Sequence, residues 1–347
     1  MRIAIVAPPW TPVPPPLYGG IEQAIDAEAL ALKKAGHEVL LCTTGDSTCP
    51  VPIQWYLPQA EGYRIGVTVP ELRHVAAAYD FITEGPERFD IIHDHTVLGP
   101  FYAERFGPLP LVTTVHGPFN DELRDLYLRL SARVPLIGIS KAQHTSAPEI
   151  PLARIIHHGI DAGRFPVGTG HGDVAGDYVL FLGRLAPEKG AKRAIEAARK
   201  AGVRILLAGK AREPHELACL NDEIMPLLGD DVLYLGEVAH EEKLRLLAGA
   251  RCTLFPIRWN EPFGLVMIES MACGTPVLAF NEGAAPEVVD HGRTGYLCED
   301  EVDMAERIAG IDSISRASCR AAAEGYFSVE RMAAEHISLF TEIAGRS

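Results

Sequence analysis

Two carboxylates lie eight residues apart in a stretch of the chain that predicts a helix, Glu261 and Glu269. We expect this helix over residues 262–272, directly after a strand over residues 252–255. Residues suited to the start and the end of such a helix flank the pair: Asn260, Pro262 and Gly274. Glu261 would then lie at the helix tip, with Glu269 roughly 12 Å further along the axis at the usual helical rise.

The amino end of such a helix suits an anion, because its unpaired N–H groups and the helix dipole attract negative charge. A diphosphate could bind there, with sugar hydroxyls on the carboxylate at the tip and ribose hydroxyls on the deeper one. That order matches a nucleotide sugar. The alternative is an ordinary amphipathic helix with two solvated carboxylates. The amides at this end are those of Phe263, Gly264, Leu265 and Val266.

Two cations, Arg184 and Lys189, flank a predicted turn between a strand over residues 178–182 and a helix over residues 188–201. Cations at such a turn could neutralise a diphosphate, whose negative charge grows as it leaves. The alternative is surface charge without a ligand.

Short apolar strands alternate with helical patterns through the first half of the chain. Runs that are apolar throughout indicate a parallel sheet covered on both faces. A helix over residues 21–35 ends at Gly36. The predicted strands of this half cover residues 3–6, 39–43, 91–93, 111–115, 136–139 and 155–156.

A second series follows residues 161–177, which are rich in glycine and predict a linker. Its predicted strands cover residues 178–182, 204–208, 232–235, 252–255 and 277–279, with helices at 188–201, 240–249 and 262–272. The fold class expected is α/β, two Rossmann-like doubly wound domains facing across a cleft. The domains would be residues 1–162 for the acceptor and 163–326 for the nucleotide sugar. A final helix over residues 328–343, within a C-terminal segment 327–347, would cap the second domain or cross back to the first.

Composition excludes several classes of function. The 347 residues carry a net charge of −14, so the chain as a whole has no electrostatic attraction for nucleic acid or anionic lipid. Seven widely spaced cysteines without a C-x-x-C motif argue against disulfides or a zinc site and favour a reducing compartment. No apolar run is long enough for a signal peptide or an integral membrane segment. We expect a cytoplasmic protein.

The chain offers few candidate metal ligands in a recognisable pattern. No D-x-D motif occurs in the chain, so the usual Mg²⁺ or Mn²⁺ clamp for a diphosphate is missing and no metal or other cofactor is expected. His93 and His95 end a predicted strand, but two histidines and one aspartate are a weak ligand set. We assign them to packing or to contact with an acceptor.

The second half resembles the family-4 retaining glycosyltransferases, which have the GT-B fold. The residues that carry the resemblance are Gly-Arg-Leu at 183–185, Glu-Lys-Gly at 188–190, Leu-Gly-Glu-Val at 235–238, Glu-Pro-Phe-Gly-Leu at 261–265 with Glu269, Ala-Cys-Gly-Thr-Pro-Val at 272–277, Pro-Glu at 286–287 and Gly-Arg-Thr-Gly-Tyr-Leu at 292–297. In the first half, Gly19 and Gly20 after a proline-rich loop resemble the family's phosphate loop, and His116 resembles its strand-end histidine. The hinge-like segment at 155–161 departs by having His158 where the family usually has Asn.

The resemblance implies a retaining transfer of a hexose, glucose- or mannose-type, from a UDP- or GDP-linked donor to a carbohydrate or small-molecule acceptor. Departure of the diphosphate leaves an oxocarbenium-like centre, which the acceptor attacks from the same face with the leaving phosphate as base. The residues it implies as catalytic are His116, Arg184, Lys189 and Glu261. Those it implies for donor binding are Gly19, Gly20, Gly183, Arg184, Lys189, Lys210, Glu237, Val238, Glu261, Phe263, Gly264, Leu265, Val266 and Glu269.

Two other classes remain open on the sequence. One is a GT-B epimerase or phosphorylase, although no pyridoxal-binding segment is visible. The other is a non-catalytic nucleotide-sugar-binding protein, which fold alone does not exclude. The sequence does not identify the acceptor, the donor base or the oligomeric state.

Overall fold

The computed structural model describes residues 1–85, 88–171 and 177–345, which form two compact units. The N-terminal unit comprises Met1–Gly159 together with Val329–Ser347, and the C-terminal unit comprises Ile160–Ser328. The sequence boundaries at 162 and 326 lie within three residues of these crossings. Each unit is built around one parallel sheet.

The N-terminal unit contains a seven-stranded sheet whose neighbouring strands are all parallel, in the order β3-β2-β1-β4-β5-β6-β7. Its strands are β1 (Arg2–Val6), β2 (Glu38–Thr43), β3 (Ile53–Trp55), β4 (Ile91–Asp94), β5 (Leu111–Thr114), β6 (Leu136–Gly138) and β7 (Arg154–Ile155). Its first helices are α1 (Gly20–Lys34), α2 (Thr68–Glu84), α3 (Gly99–Ala103), α4 (Asp121–Leu130) and α5 (Lys141–Thr145). Short 3₁₀ turns occur at Gly62–Arg64 and Glu104–Phe106.

The C-terminal unit contains a six-stranded parallel sheet in the order β10-β9-β8-β11-β12-β13. Its strands are β8 (Tyr178–Leu182), β9 (Arg204–Ala208), β10 (Val232–Tyr234), β11 (Thr253–Phe255), β12 (Val277–Phe280) and β13 (Gly295–Cys298). Its helices are α6 (Ala191–Lys200), α7 (Pro214–Ala218), α8 (His240–Gly249), α9 (Leu265–Ala272), α10 (Ala285–Val288), α11 (Glu301–Ala309) and α12 (Arg316–Glu324). A π-helical segment at Cys219–Ile224 and 3₁₀ turns at Ala162–Arg164, Pro187–Lys189, Met225–Leu227 and Ile311–Ser313 complete it.

The last helix, α13 (Val329–Ala344), packs in the N-terminal unit against α1 and β4. Met332 and Phe340 of α13 are buried in one apolar cluster with Ile25 and Leu32 of α1. The sequence left open whether this helix caps the second domain or crosses back to the first. It belongs to the N-terminal unit, where its apolar stripe packs against α1. The N-terminal core is therefore closed by residues from both ends of the chain.

The prediction of two doubly wound parallel sheets is confirmed, and all eleven predicted strands are present. In both sheets the first strand lies in the interior. The next two strands are added on one side of it, and the remaining strands are added on its other side, out to the opposite edge. The order reverses between β1 and β4 in one sheet and between β8 and β11 in the other. Loops that leave the carboxyl ends of strands at such a switch point form the usual ligand crevice of these sheets.

The segment predicted as a linker, residues 161–177, is bound to the C-terminal unit over its described part. Arg320 donates to the carbonyl oxygen of Phe165 at 2.7 Å, and Arg316 donates to that of Gly168 at 2.8 Å. Residues 172–176 lie outside the described residues. The chain therefore changes units before this segment, at residues 159–160.

The buried packing of α13 leads to a prediction for Phe340, which is fully buried. Phe340→Ala should lower the free energy of unfolding of the N-terminal unit by about 3–5 kcal/mol, because a large apolar side chain leaves a cavity. Hydrogen exchange followed by mass spectrometry should show faster exchange in peptides from α1 and β4. Peptides from β8 and β12 should exchange at the wild-type rate.

Thr341→Ala is the control, because Thr341 lies next to Phe340 on α13 but is exposed. It should leave exchange in α1 and β4 unchanged. Equal exchange rates for the two variants would contradict the role of α13 in the N-terminal core.

Candidate functional site in the C-terminal unit

The loops that follow β8, β9 and β10 are held together by backbone hydrogen bonds at the carboxyl edge of the C-terminal sheet. The amide of Gly183 donates to the carbonyl of Ala208 at 3.0 Å, and that of Gly209 donates to Gly236 at 2.8 Å. The amide of Leu185 donates to the carbonyl of Lys210 at 2.9 Å. Predicted site residues Gly183, Arg184, Lys210, Glu237 and Val238 are thereby brought to one edge.

Arg184 is fixed by two carboxylates that sequence reasoning did not assign to the site. Its guanidinium donates to Glu216 at 2.9 Å and to Glu188 at 3.4 Å. Burial alone would raise the pKa of Glu216, but hydrogen bonds from the Arg212 amide and from Arg184 outweigh burial and lower it. Arg184 is therefore held as an oriented cation beside the end of β8.

Lys189 and Glu261 form a nearly buried ion pair between the turn after β8 and the loop after β11. Their side chains are 11% and 13% exposed, and the Lys189 ammonium donates to Glu261 Oε2. The indole N–H of Trp259 donates to the same oxygen at 2.7 Å, and the Lys189 ammonium lies 4.5 Å from the indole centroid. Burial lowers the pKa of Lys189, and the charge of Glu261 opposes that shift. Sequence reasoning missed Trp259.

The predicted start of the motif helix is wrong. Helix α9 begins at Leu265 rather than at residue 262, and Asn260 is not its cap. The preceding residue, Gly264, has φ +83° and ψ +66°, a left-handed conformation that ends the turn before it and opens the helix. Glu261 therefore lies in a loop, four residues before the helix. The first amides of α9, which lack acceptors inside a helix, are those of Leu265 and Val266.

Phe263 and Gly283 anchor this loop. The Phe263 side chain is buried, with its ring centroid 6.3 Å from that of Phe327. The amide of Ala284 donates to the carbonyl of Glu261 at 3.0 Å. Gly283 has φ +55°, and a Cβ there would lie 2.5 Å from the Glu261 nitrogen, so no other residue fits without moving Glu261. The position of the Glu261 carboxylate therefore depends on the loop after β12.

Glu269 is buried in α9 and pairs with Lys243 of α8, whose ammonium donates to Glu269 Oε1 at 2.7 Å. The side chains are 5% and 16% exposed. Both motif carboxylates are thus largely shielded from solvent and paired with a lysine, which excludes the alternative of two solvated side chains on an ordinary helix. Lys243 was missed because α8 lies far from α9 in the sequence, and nothing in its own helix marks it.

Glu237 follows β10 and accepts from Arg212 at 2.5 Å, while Val238 beside it is partly exposed. Together with Lys210, Glu237 and Val238 form one side of the site. They follow β9 and β10, which lie on the opposite side of β8 from β11. The predicted residues of the C-terminal unit thus occupy the loops after β8, β9, β10 and β11 and the first five residues of α9.

The remaining predicted residues belong to the N-terminal unit. Gly19 caps α1 and Gly20 begins it. His116 follows β5, its Nε2 lies 2.8 Å from Nδ1 of His95, and its ring stacks on His158 with centroids 5.4 Å apart. Burial, with the charges of neighbouring histidines, lowers the pKa of His116 well below its ordinary value. Gly19, Gly20 and His116 all follow carboxyl ends of strands in the one sheet.

In the part of the chain that the structure describes, none of the helices combines the length and apolar character needed to cross a membrane. All seven cysteines are buried free thiols.

Both halves of the chain match models of sugar-transferring enzymes. A model described as Glycosyltransferase Family 4 matches residues 18–167, and one described as Glycosyl transferases group 1 matches residues 173–323. The phosphatidyl-myo-inositol mannosyltransferase of Mycolicibacterium smegmatis is 28% identical, over 90% of this chain and 84% of that protein. Glycogen synthase of Mycobacterium tuberculosis is 27% identical, over 90% of this chain and 86% of that protein.

A solved structure agrees in fold. The crystal structure of a glycosyltransferase involved in avilamycin A biosynthesis matches with a TM-score of 0.73 and 25% identity, covering 100% of this chain and 98% of that one. The GT-B class expected from the sequence is thereby confirmed.

The contact between Gly283 and Glu261 gives a prediction. Gly283→Ala should weaken binding of UDP or GDP at least tenfold, because the new Cβ displaces the Glu261 backbone and with it the partner of Lys189. Isothermal titration with both nucleotides measures the effect, using the one that binds wild type.

Gly292→Ala is the matched control. Gly292 also has positive φ, +81°, but a Cβ there would meet nothing within 4 Å. Both variants place an alanine at positive φ and so share that backbone strain. Only Gly283→Ala should lose affinity for the nucleotide. Equal nucleotide affinity in the two variants would contradict the importance of the Glu261 position.

Proposed function

Because the chain belongs to the family-4 glycosyltransferases, which transfer sugar from a nucleotide sugar, we propose the particular reaction as follows. It moves a hexose, glucose- or mannose-type, from UDP or GDP to an acceptor hydroxyl, with retention of configuration and without a metal at the diphosphate. The observation that carries this proposal is the buried Lys189–Glu261 pair beside Arg184, at the switch point of the C-terminal sheet.

The donor diphosphate would bind Arg184, Lys189 and the backbone amides from Phe263 to Val266. Both cations face carboxylates in the structure, so binding of a diphosphate would exchange one negative partner for another rather than remove water from unpaired cations. Two cations and a helix start supply the charge that a divalent ion would otherwise supply. This is the physical reason for proposing no metal there.

Sugar and ribose would bind on either side of the diphosphate. When Lys189 turns toward a phosphate, the Glu261 carboxylate keeps the Trp259 N–H and gains room to accept from sugar hydroxyls. Glu269 would accept from ribose hydroxyls, with Lys243 holding its carboxylate in place. The base would lie by the main chain near Lys210 and Glu237. Gly19 and Gly20 would approach the phosphates, and His116 would contact the transferred sugar.

The reaction breaks the bond between the anomeric carbon and the phosphate oxygen. Positive charge then develops on the sugar ring and negative charge on the diphosphate, where Arg184 and Lys189 stabilise it. The acceptor oxygen bonds to the anomeric carbon from the face that the diphosphate leaves, and the acceptor proton passes to the departing phosphate oxygen. Glu261, held by the Trp259 N–H, would bind and orient the sugar rather than attack it.

The names of the relatives support a hexose donor more than any one acceptor. One relative is named a mannosyltransferase acting on phosphatidyl-myo-inositol, and the other a glycogen synthase. A lipid and a polysaccharide share only their hydroxyl groups, so we propose a carbohydrate or small-molecule hydroxyl and no narrower class.

Removal of the Lys189 ammonium tests the proposed diphosphate site. Lys189→Ala should reduce kcat/KM for transfer, and for slow donor hydrolysis, by at least about 100-fold, because stabilisation of the leaving group is lost. Release of UDP or GDP is the readout, with a panel of nucleotide sugars and acceptor hydroxyls.

Lys192→Ala is the control, since Lys192 lies three residues away in α6, is half exposed and pairs with Glu223 at 3.6 Å. It should retain wild-type rates. Activity of Lys189→Ala within twofold of wild type would refute the proposed site. Tight donor binding by wild type with no release of nucleoside diphosphate would instead indicate a non-catalytic binding protein.

Stereochemistry and metal use give a separate prediction. The product should keep the donor's anomeric configuration. NMR would show this in the one-bond coupling constant between the anomeric carbon of the product and its proton. Mg²⁺ or Mn²⁺ added to desalted enzyme should change the rate less than twofold. An inverted product would contradict the proposed same-face attack, and a large metal activation would contradict the role given to the two cations.

A further inference from the structure

A buried carboxylate in the N-terminal unit is surrounded by three histidines. Glu28 belongs to α1, His93 lies in β4, His95 follows β4 directly, and His336 belongs to α13. None of the four side chains is more than 5% exposed. Among the ion pairs of the described residues, Glu28 meets histidines only, so its negative charge has no arginine or lysine to balance it.

Only one of the three imidazoles makes an ordinary hydrogen bond to this carboxylate. His93 Nδ1 lies 2.6 Å from Glu28 Oε1. His95 Nε2 lies 3.5 Å from Oε2, and His336 Nδ1 lies 3.6 Å from Oε1. Both nitrogens are buried and have no hydrogen-bond partner among the described residues. A neutral or singly protonated cluster therefore leaves two nitrogens pointing at a carboxylate without bonding it.

The spacing of these atoms fits a bound cation. Ligand atoms bonded at 2.0–2.2 Å to a tetrahedral ion lie about 3.4 Å apart. The contacts of His95 and His336 with Glu28 are close to that value, and the ligand atoms of Glu28, His93 and His95 all lie within 4.8 Å of one another. For an ion to bind, the short His93–Glu28 hydrogen bond would have to open, and the His336 imidazole, which lies outside that group of three, would have to turn toward it.

In His93 and His95, the ring nitrogens opposite the carboxylate are arranged as in metal-bound histidines. His93 Nε2 lies 2.7 Å from Thr114 Oγ1, and His95 Nδ1 lies 2.8 Å from His116 Nε2. A histidine that ligates through one nitrogen is usually oriented by a hydrogen bond at the other. These outer bonds leave Nδ1 of His93 and Nε2 of His95 to face the carboxylate.

Contrary to the expectation from the sequence, we propose that Glu28, His93 and His95, with His336 as the fourth ligand, bind one divalent transition ion, with zinc as the expected occupant. Imidazole and carboxylate ligands suit Zn²⁺, and four protein ligands with no open position are typical of a structural site. The ion would balance the buried charge of Glu28 and tie α13 to α1 and to the end of β4. It would lie in the N-terminal unit and take no part in binding the donor diphosphate.

The metal content of the purified chain tests this directly. The full chain, with any histidine tag removed and no metal added, should contain about one zinc per chain by inductively coupled plasma mass spectrometry. Removal with dipicolinate should lower the Tm by several degrees, because the ion binds only the folded state. Reloading with Co²⁺ should give the visible absorption bands of a four-coordinate nitrogen and oxygen site.

Ligand variants locate the ion. His336→Gln and Glu28→Gln should each lose at least nine-tenths of the bound zinc. His74→Gln is the matched control, because His74 is also fully buried in the N-terminal unit with one unpartnered nitrogen, and its other nitrogen lies 3.0 Å from the carbonyl of Ala7. This control should keep the wild-type zinc content.

The proposal is overturned if wild type holds less than a tenth of an equivalent of metal and takes up no stoichiometric Co²⁺. It is also overturned if the ligand variants retain as much zinc as His74→Gln. The wild-type measurement needs no folded variant, and neither measurement uses a donor or acceptor. Its failure would therefore leave the proposed transferase reaction untouched.

Discussion

The side chains of Lys189 and Glu261 bring opposite charges together where little water reaches them. A lone charge in such a place is costly, so each side chain requires the other, and the pair fixes the turn after β8 against the loop after β11. Trp259 adds an N–H to the carboxylate and an indole face near the ammonium. Because β8 and β11 are the strands between which the sheet order reverses, this pair lies where a ligand of the C-terminal unit belongs.

The same pairing of charges extends through the rest of the site. Arg184 meets Glu216, and Lys243 meets Glu269. A chain of net charge −14 can therefore present cations to a diphosphate without exposing an unbalanced basic patch. Such pairs also hold the cations in place, which would reduce the ordering that ligand binding must accomplish. In the proposed reaction they would also compete with the ligand, because a phosphate would have to replace a carboxylate.

Much of the fold was predictable because its strands are apolar throughout and its helices are periodic. The strands that escaped prediction, β3 and β13, lie at sheet edges, and their partly exposed residues give a weaker pattern. The start of α9 was mispredicted because Asn260 and Pro262 are good helix-start residues in isolation. Gly264 decided otherwise, because it adopts a left-handed conformation that glycine permits but that the sequence does not require at this position.

The sequence alone determined which residues could bind a nucleotide sugar, because Arg184, Lys189, Glu261 and Glu269 lie in short contiguous segments whose residue types and spacing suit that ligand. It also determined the two parallel sheets, since continuous apolar strands have no other way to be buried. Only the tertiary structure decided which residues meet. Trp259 on the Lys189–Glu261 pair, Lys243 on Glu269, and the histidines around Glu28 come from segments that strand order and helix packing join. Those contacts follow from the burial of whole faces, which residue spacing along the chain does not encode.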